Sequence, residues 1–268
     1  MIRYSAIISD GTFPCQTAIL QGKTSDVLRQ AAEAGYDCVQ LTIRAPSDYD
    51  AAELNRFCAE YGLRISALAT GRVYTVDKLS MGSSDEVNRN LCVGRLKELA
   101  KFAAQVGRPA LVIGSVRGRY ADATSVEQYY EQFDRSLREV AGFCEELGVP
   151  VILEAIERAE SEAYCDPEMT QRYVKRVGSP ALSMYLDVMH LYNEGFDPVK
   201  TIRRFGRFCP QIDISGEERR APMDSVLDFA AITTAIRESG FDGVLSFEMP
   251  PETSAEKSLA YIRNMMES

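Results

Sequence analysis

Three observations predict an α/β fold, a (β/α)8 TIM barrel. Short apolar runs recur along the whole chain and alternate with stretches of helical periodicity. A glycine stands at almost every passage from a helical stretch into the next apolar run. Four of the runs in the second half end on a single acid.

The first strand covers residues 4–9 and needs no helix before it. Seven helix-to-strand junctions then follow, marked by Gly35, Gly62, Gly107, Gly148, Gly178, Gly206 and Gly240. Glycine takes the left-handed conformation that ends a helix, so each is expected to do so here. The strands after them are expected to start near Cys38, Ile65, Ala110, Val151, Ser183, Gln211 and Val244. Helical periodicity fills the gaps, as over residues 91–106 and Val126–Leu147. Eight strands alternating with helices close into a barrel whose active site lies at the C-terminal strand ends.

The four acids fall at those ends. They are Glu154 after Val-Ile-Leu, Asp187 after Ser-Met-Tyr-Leu, Asp213 after Cys-Pro-Gln-Ile and Glu248 after Val-Leu-Ser-Phe. One such acid would more often begin a loop or cap the next helix. Four in register point to a shared site. Converging carboxylates repel, so a divalent metal is expected between them. His190, the single histidine, stands three residues after Asp187 and therefore just above the same strand end. One imidazole cannot build a multi-histidine zinc centre.

The rest of the composition narrows the function. A chain of 268 residues is the usual size of one such barrel, and no linker interrupts it, so residues 1–268 read as a single domain. A net charge of −9 argues against nucleic acid, whose phosphates require basic neutralisation. No N-terminal apolar stretch suggests a signal peptide, and no run approaches membrane-spanning length. The seven cysteines are scattered without a C-x-x-C pair, which reads as buried thiols in a reducing cytoplasm. No Gly-rich phosphate loop precedes a helix.

The residues around the acids carry a resemblance. Leu153-Glu154-Ala155-Ile156-Glu157-Arg158-Ala159-Glu160, Asp187-Val188-Met189-His190, the segment from Gln211 to Pro222 and Ser246-Phe247-Glu248 resemble, in that order, motifs of the sugar phosphate isomerase/epimerase family. These are the xylose isomerase-like barrels, and the likeness is nearest to their ketose 3-epimerase (tagatose/psicose epimerase) branch. It spans essentially the whole chain and is strongest from Val151 onward. It implies metal ligands at Glu154, Asp187 and Glu248, with Glu154 and Glu248 also the acid/base pair. It implies sugar contacts at His190, Arg219 and Glu160, with Arg158 a weaker candidate. The chain departs from the family at the seventh strand. Where a metal-binding His is expected it has Asp213, or Gln211 two residues earlier on the same strand face. Asp213 lies nearer the strand end and is taken as the fourth ligand. The turn after this strand also differs, with Ala221-Pro222-Met223-Asp224 in place of a glycine-rich sequence.

The implied chemistry is proton transfer beside a carbonyl. In an epimerisation one glutamate would remove the proton, the metal would stabilise the enediolate, and the other glutamate would return the proton on the opposite face; an aldose–ketose isomerisation would use the same enediolate, and the sequence does not separate the two. An all-carboxylate shell suits Mn²⁺ or Mg²⁺ over Zn²⁺ or Co²⁺. The substrate is expected to be a sugar or polyol. Arg117, in the loop after the fourth strand, is a further candidate for a sugar hydroxyl or phosphate. Two alternatives share the scaffold: an inosose dehydratase-like lyase, and a metal-free carbohydrate-binding barrel. The resemblance leaves a dimer or tetramer of identical subunits open.

Overall fold

The computed structural model describes residues 1–11 and 15–267. Eight parallel strands form the barrel: β1 (Arg3–Ser9), β2 (Cys38–Thr42), β3 (Arg64–Ala69), β4 (Ala110–Ile113), β5 (Val151–Glu154), β6 (Leu182–Asp187), β7 (Gln211–Ile214) and β8 (Val244–Phe247). They are ordered around the sheet as in the chain, and β8 pairs back onto β1 with Arg3 opposite Val244 and Ala6 opposite Phe247. This is a closed (β/α)8 barrel. Each strand begins within one residue of its expected position. A two-residue strand, Leu20–Gln21, adds to the outer edge of β1 and was not expected. It is too short to carry a periodicity.

The helices are α1 (Thr24–Glu33), α2 (Ala51–Tyr61), α3 (Gly71–Thr75), α4 (Glu86–Gln105), α5 (Val126–Leu147), α6 (Pro167–Val177), α7 (Val188–Asn193), α8 (Pro198–Phe205), α9 (Phe229–Glu238) and α10 (Ala255–Glu267). Their starts follow local chemistry. Asp85, Ser125, Asp166, Asp187, Asp197 and Asp228 each accept a hydrogen bond from a first-turn amide, satisfying donors that the helix itself leaves open. The cap at Asp85 extends α4 five residues before the expected start.

Six of the seven junction glycines have positive φ, as expected. Gly206 does not: its φ is −51°, because α8 runs on into a 3₁₀ turn. A Cβ there would stand 2.5 Å from Ser239 Oγ, so this glycine serves close packing against the turn after α9.

Contacts group the chain into two compact units. One is Met1–Thr42 with Ala52–Ser66 and Tyr185–Ser268; the other is Ile43–Ala51 with Ala67–Met184. In the first, Ala6, Ile8, Val39, Leu41, Ile212 and Leu245 are fully buried; in the second, Leu111, Ile113, Ile152 and Leu153 are. Strands β5, β7 and β8 are buried along their whole length, which is why they read as continuous apolar runs. All seven cysteines are free thiols, six of them buried and Cys15 partly exposed. Among the described residues no helix is long and apolar enough to cross a membrane.

Candidate active site

The first unit gathers three of the four acids. Asp187 is the last residue of β6 and lies directly opposite Asp213 of β7, whose other neighbour is Ser246 of β8. Glu248 follows β8 by one residue. Each of Asp187, Asp213 and Glu248 offers a carboxylate oxygen, and these atoms all lie within 4.8 Å of one another. Asp187 and Asp213 are fully buried, and the Glu248 side chain is 17% exposed. The register explains the convergence: adjacent parallel strands place same-face side chains side by side at their C-terminal ends. β7 runs one residue beyond Asp213, to Ile214.

Each carboxylate has its own support. Asp187 Oδ1 accepts from the His190 amide at 3.0 Å and so caps α7. Asp213 Oδ1 accepts from Gln211 Nε2 at 2.7 Å, which confirms that these residues share a strand face. The same amide donates to Gln40 Oε1 at 2.7 Å, and Ser246 Oγ donates to that oxygen at 3.4 Å. Gln40, which sequence reasoning did not single out, thus joins the same buried network as Asp213. The available signal was a glutamine inside the apolar run Cys38-Val39-Gln40-Leu41, since a buried amide must be hydrogen-bonded.

Arg219 is the cation of the cluster. Its Nη1 donates to Asp187 Oδ2 at 2.5 Å and to Ser215 Oγ at 3.2 Å; Nη2 lies 3.3 Å from Glu248 Oε2 and 3.3 Å from His190 Nε2. The backbone is strained to aim it there. Arg219 has φ +61° and Glu218 before it φ +53°, a left-handed pair without glycine. Burial pushes the Asp187 carboxyl up, but the Arg219 guanidinium and His190 outweigh that and hold it below the usual range. His190 is buried in the first turn of α7, as its spacing from Asp187 implied.

The second unit carries Glu154 at the end of β5, 5% exposed. Gly114, after β4, makes room for it: a Cβ there would stand 2.5 Å from Glu154 Oε2. Arg117 departs from expectation. It is fully buried and donates to four main-chain carbonyls, those of Ile113 (2.7 Å), Gly114 (3.0 Å), Glu154 (2.6 Å) and Ala163 (2.9 Å). Four of its five donors are spent on main-chain carbonyls, three at the ends of β4 and β5 and one in the loop at Ala163, so it clamps these segments together. Glu160 accepts from Ser115 Oγ at 2.8 Å. Arg158 is exposed; its carbonyl takes a bond from Arg119, whose guanidinium also pairs with Glu162 at 2.8 Å.

The donor set of the first unit fits a hard divalent cation. The set Asp187, Asp213 and Glu248 offers only carboxylate oxygen, and the Arg219 guanidinium meets two of the three.

An eight-stranded parallel barrel with clustered acids at the C-terminal strand edge is the architecture of a barrel enzyme. The chain belongs to the xylose isomerase-like TIM barrel family, whose model matches residues 28–265. It is 25% identical to an L-ribulose 3-epimerase of Mesorhizobium japonicum over 88% of this chain and 79% of that protein. It is 23% identical to a ketose 3-epimerase of Arthrobacter globiformis over 82% of this chain and 75% of that protein. The solved structure of an L-ribulose 3-epimerase superposes with a TM-score of 0.83 at 21% identity, covering 100% of this chain and 95% of that one. The relatives are sugar epimerases, enzymes of the isomerase class.

Proposed function

We propose that the protein is a metal-dependent ketose epimerase, moving a proton on the carbon beside a ketose carbonyl. The observation that carries this is the convergence of Asp187, Asp213 and Glu248 within 4.8 Å at the strand ends of a barrel whose relatives are 3-epimerases. Those three residues and Glu154 are the proposed ligands, and Mn²⁺ or Mg²⁺ the proposed ion. When bound, the ion supplies positive charge that stabilises an enediolate.

The chain's own groups do the rest. Glu154 and Glu248 are the two proton carriers, one removing the proton and the other returning it to the opposite face. Deprotonating a carbon acid needs a base held within hydrogen-bond reach. Gly114 serves that need at Glu154 by leaving its carboxylate space, and Arg117 by fixing the main chain beneath it. His190 and Arg219 hold sugar oxygens, and burial of both excludes the water that would compete for them. Glu160, oriented by Ser115, takes a more distant hydroxyl.

One observation favours a second reading, a metal-free carbohydrate-binding barrel: Arg219 already bridges Asp187 and Glu248. Metal analysis of the purified protein, with proton exchange of ketoses in deuterated water, separates the two. Bound divalent ion and exchange support the epimerase. A metal-free protein that binds ketoses without exchange, even after ions are added, refutes it.

A further inference from the structure

Beyond Arg219 the first unit opens into a cavity of about 760 Å³, between the loop 218–224 after β7 and the segment 250–258 that leads into α10. Arg219 lines this cavity and also touches Asp187 and Glu248, so one side chain borders both the cavity and the acid cluster. Its volume is that of a pocket for a drug-sized ligand, about 300–1,000 Å³, and far exceeds one monosaccharide.

The lining chooses between an anionic and a neutral occupant. The charge of Arg219 is met by Asp187 and Glu248, and Arg220 donates to Glu218 at 3.1 Å. The charged lining that remains is Lys257 against Asp224 and Glu252, a negative balance that repels phosphate or carboxylate. The same groups supply donors and acceptors for hydroxyls. At the buried side, Ser258 Oγ has no hydrogen-bond partner although the residue is fully buried. Ser258 is one of the residues that line this cavity, and an orphan hydroxyl costs stability unless something meets it. Met223 and Pro250 add apolar surface for the C–H face of a ring.

We propose that this cavity is a subsite for a second sugar ring, so that the substrate is a ketose bearing a neutral glycosyl substituent, with its ketose end at Arg219. The assignment rests on the epimerase reading for the orientation of the ketose, and on the cavity alone for the second ring. The departure of Ala221-Pro222-Met223-Asp224 from the glycine-rich turn of the family is then the change that shapes the subsite.

Calorimetric titration with a ketose, a disaccharide ending in that ketose with its carbonyl free, and the ketose phosphate tests this on the protein supplied with Mn²⁺. The disaccharide is expected to bind about tenfold or more tightly than the ketose, and the phosphate no more tightly than the ketose. Met223→Trp, which fills the cavity, and Glu252→Ala, an exposed change that leaves the packing alone, are each expected to shrink the disaccharide preference. Equal binding of the two sugars, no binding of the disaccharide, preference for the phosphate, or a preference untouched by both folded variants overturns the proposal. Proton exchange in deuterated water keeps the two readings apart. A disaccharide preference without exchange refutes the epimerase and leaves the subsite standing; exchange without the preference does the reverse.

Discussion

Arg219 Nη1 meets Asp187 Oδ2 at 2.5 Å with both side chains withdrawn from solvent, 9% and 0% exposed. Two charges removed from water are costly alone and tolerable together. The guanidinium also reaches Glu248, so it ties two carboxylates from neighbouring parts of the sheet to one loop. The left-handed pair Glu218 and Arg219 shows that the chain accepts backbone strain to hold this arrangement.

Arg219→Met is expected to destabilise the protein by about 3–5 kcal/mol in the presence of a chelator, the usual effect of stranding a buried charge. Added Mn²⁺ is expected to restore part of the loss by neutralising the acids left without the guanidinium. Urea unfolding with and without the ion measures both. The sign with pH follows from Asp187, whose carboxyl is held below its usual range. Stability from the pair is present above the ordinary carboxylate range and is lost as pH falls through the lowered folded value. A variant as stable as the parent would mean that the ion pair contributes nothing net.

Glu154→Gln and Glu248→Gln are each expected to lower turnover by about 10²–10⁴-fold while leaving the fold intact, because each removes a proton carrier without changing its shape. Steady-state rates on the ketose that exchanges its proton, with circular dichroism as the fold control, decide it. Near-parental turnover in either variant removes that residue from the acid/base pair.

The barrel and its acids were legible because both are local signals. A buried parallel strand reads as a short apolar run, and an acid such as Glu154 or Asp187 stands out at its end. Asp213 and Gln211 were legible as sharing a face because strand side chains alternate. What was not legible depends on the path of loops. An arginine after a strand reads as solvated or ligand-binding, and only the turn through 114–118 together with the loop to Ala163 brings four carbonyls around Arg117. Gly206 reads like its six counterparts, and only the approach of Ser239 shows that it is there for space. Gln40 lies 171 residues from Gln211, and their bond exists only because the sheet closes.

His190→Ala is expected to weaken turnover more than metal binding. Its imidazole faces Arg219 Nη2 at 3.3 Å, whereas its contact to Asp187 is through the backbone amide and survives the substitution. Turnover measured beside metal stoichiometry tests the split. Collapse of metal content in a folded variant would make His190 a ligand.

Gly114→Ala is expected to lower turnover roughly tenfold or more while Glu154 is still present. The new Cβ would stand 2.5 Å from Glu154 Oε2, so the carboxylate must move, and small displacements of a catalytic group are costly. Comparison of kcat with the thermal midpoint separates misplacement from unfolding. Unchanged kcat would show that the position of this carboxylate does not limit the reaction.

The metal preference is the last consequence. Asp213 makes the converging set of the first unit all oxygen, and Gln211 holds its Oδ1 at 2.7 Å while Arg219 offsets one of the three charges. Hard oxygen ligands favour Mn²⁺ or Mg²⁺, and imidazole nitrogen favours Zn²⁺ or Co²⁺. Asp213→His removes one negative charge and replaces oxygen by nitrogen at a fully buried position. It is expected to weaken Mn²⁺ and Mg²⁺ binding and to strengthen that of Zn²⁺ and Co²⁺. Titration of metal-stripped parent and variant with each ion, followed by calorimetry, reads the order directly. An unchanged order would mean that Asp213 does not touch the ion, and that its bond to Gln211 serves the sheet alone.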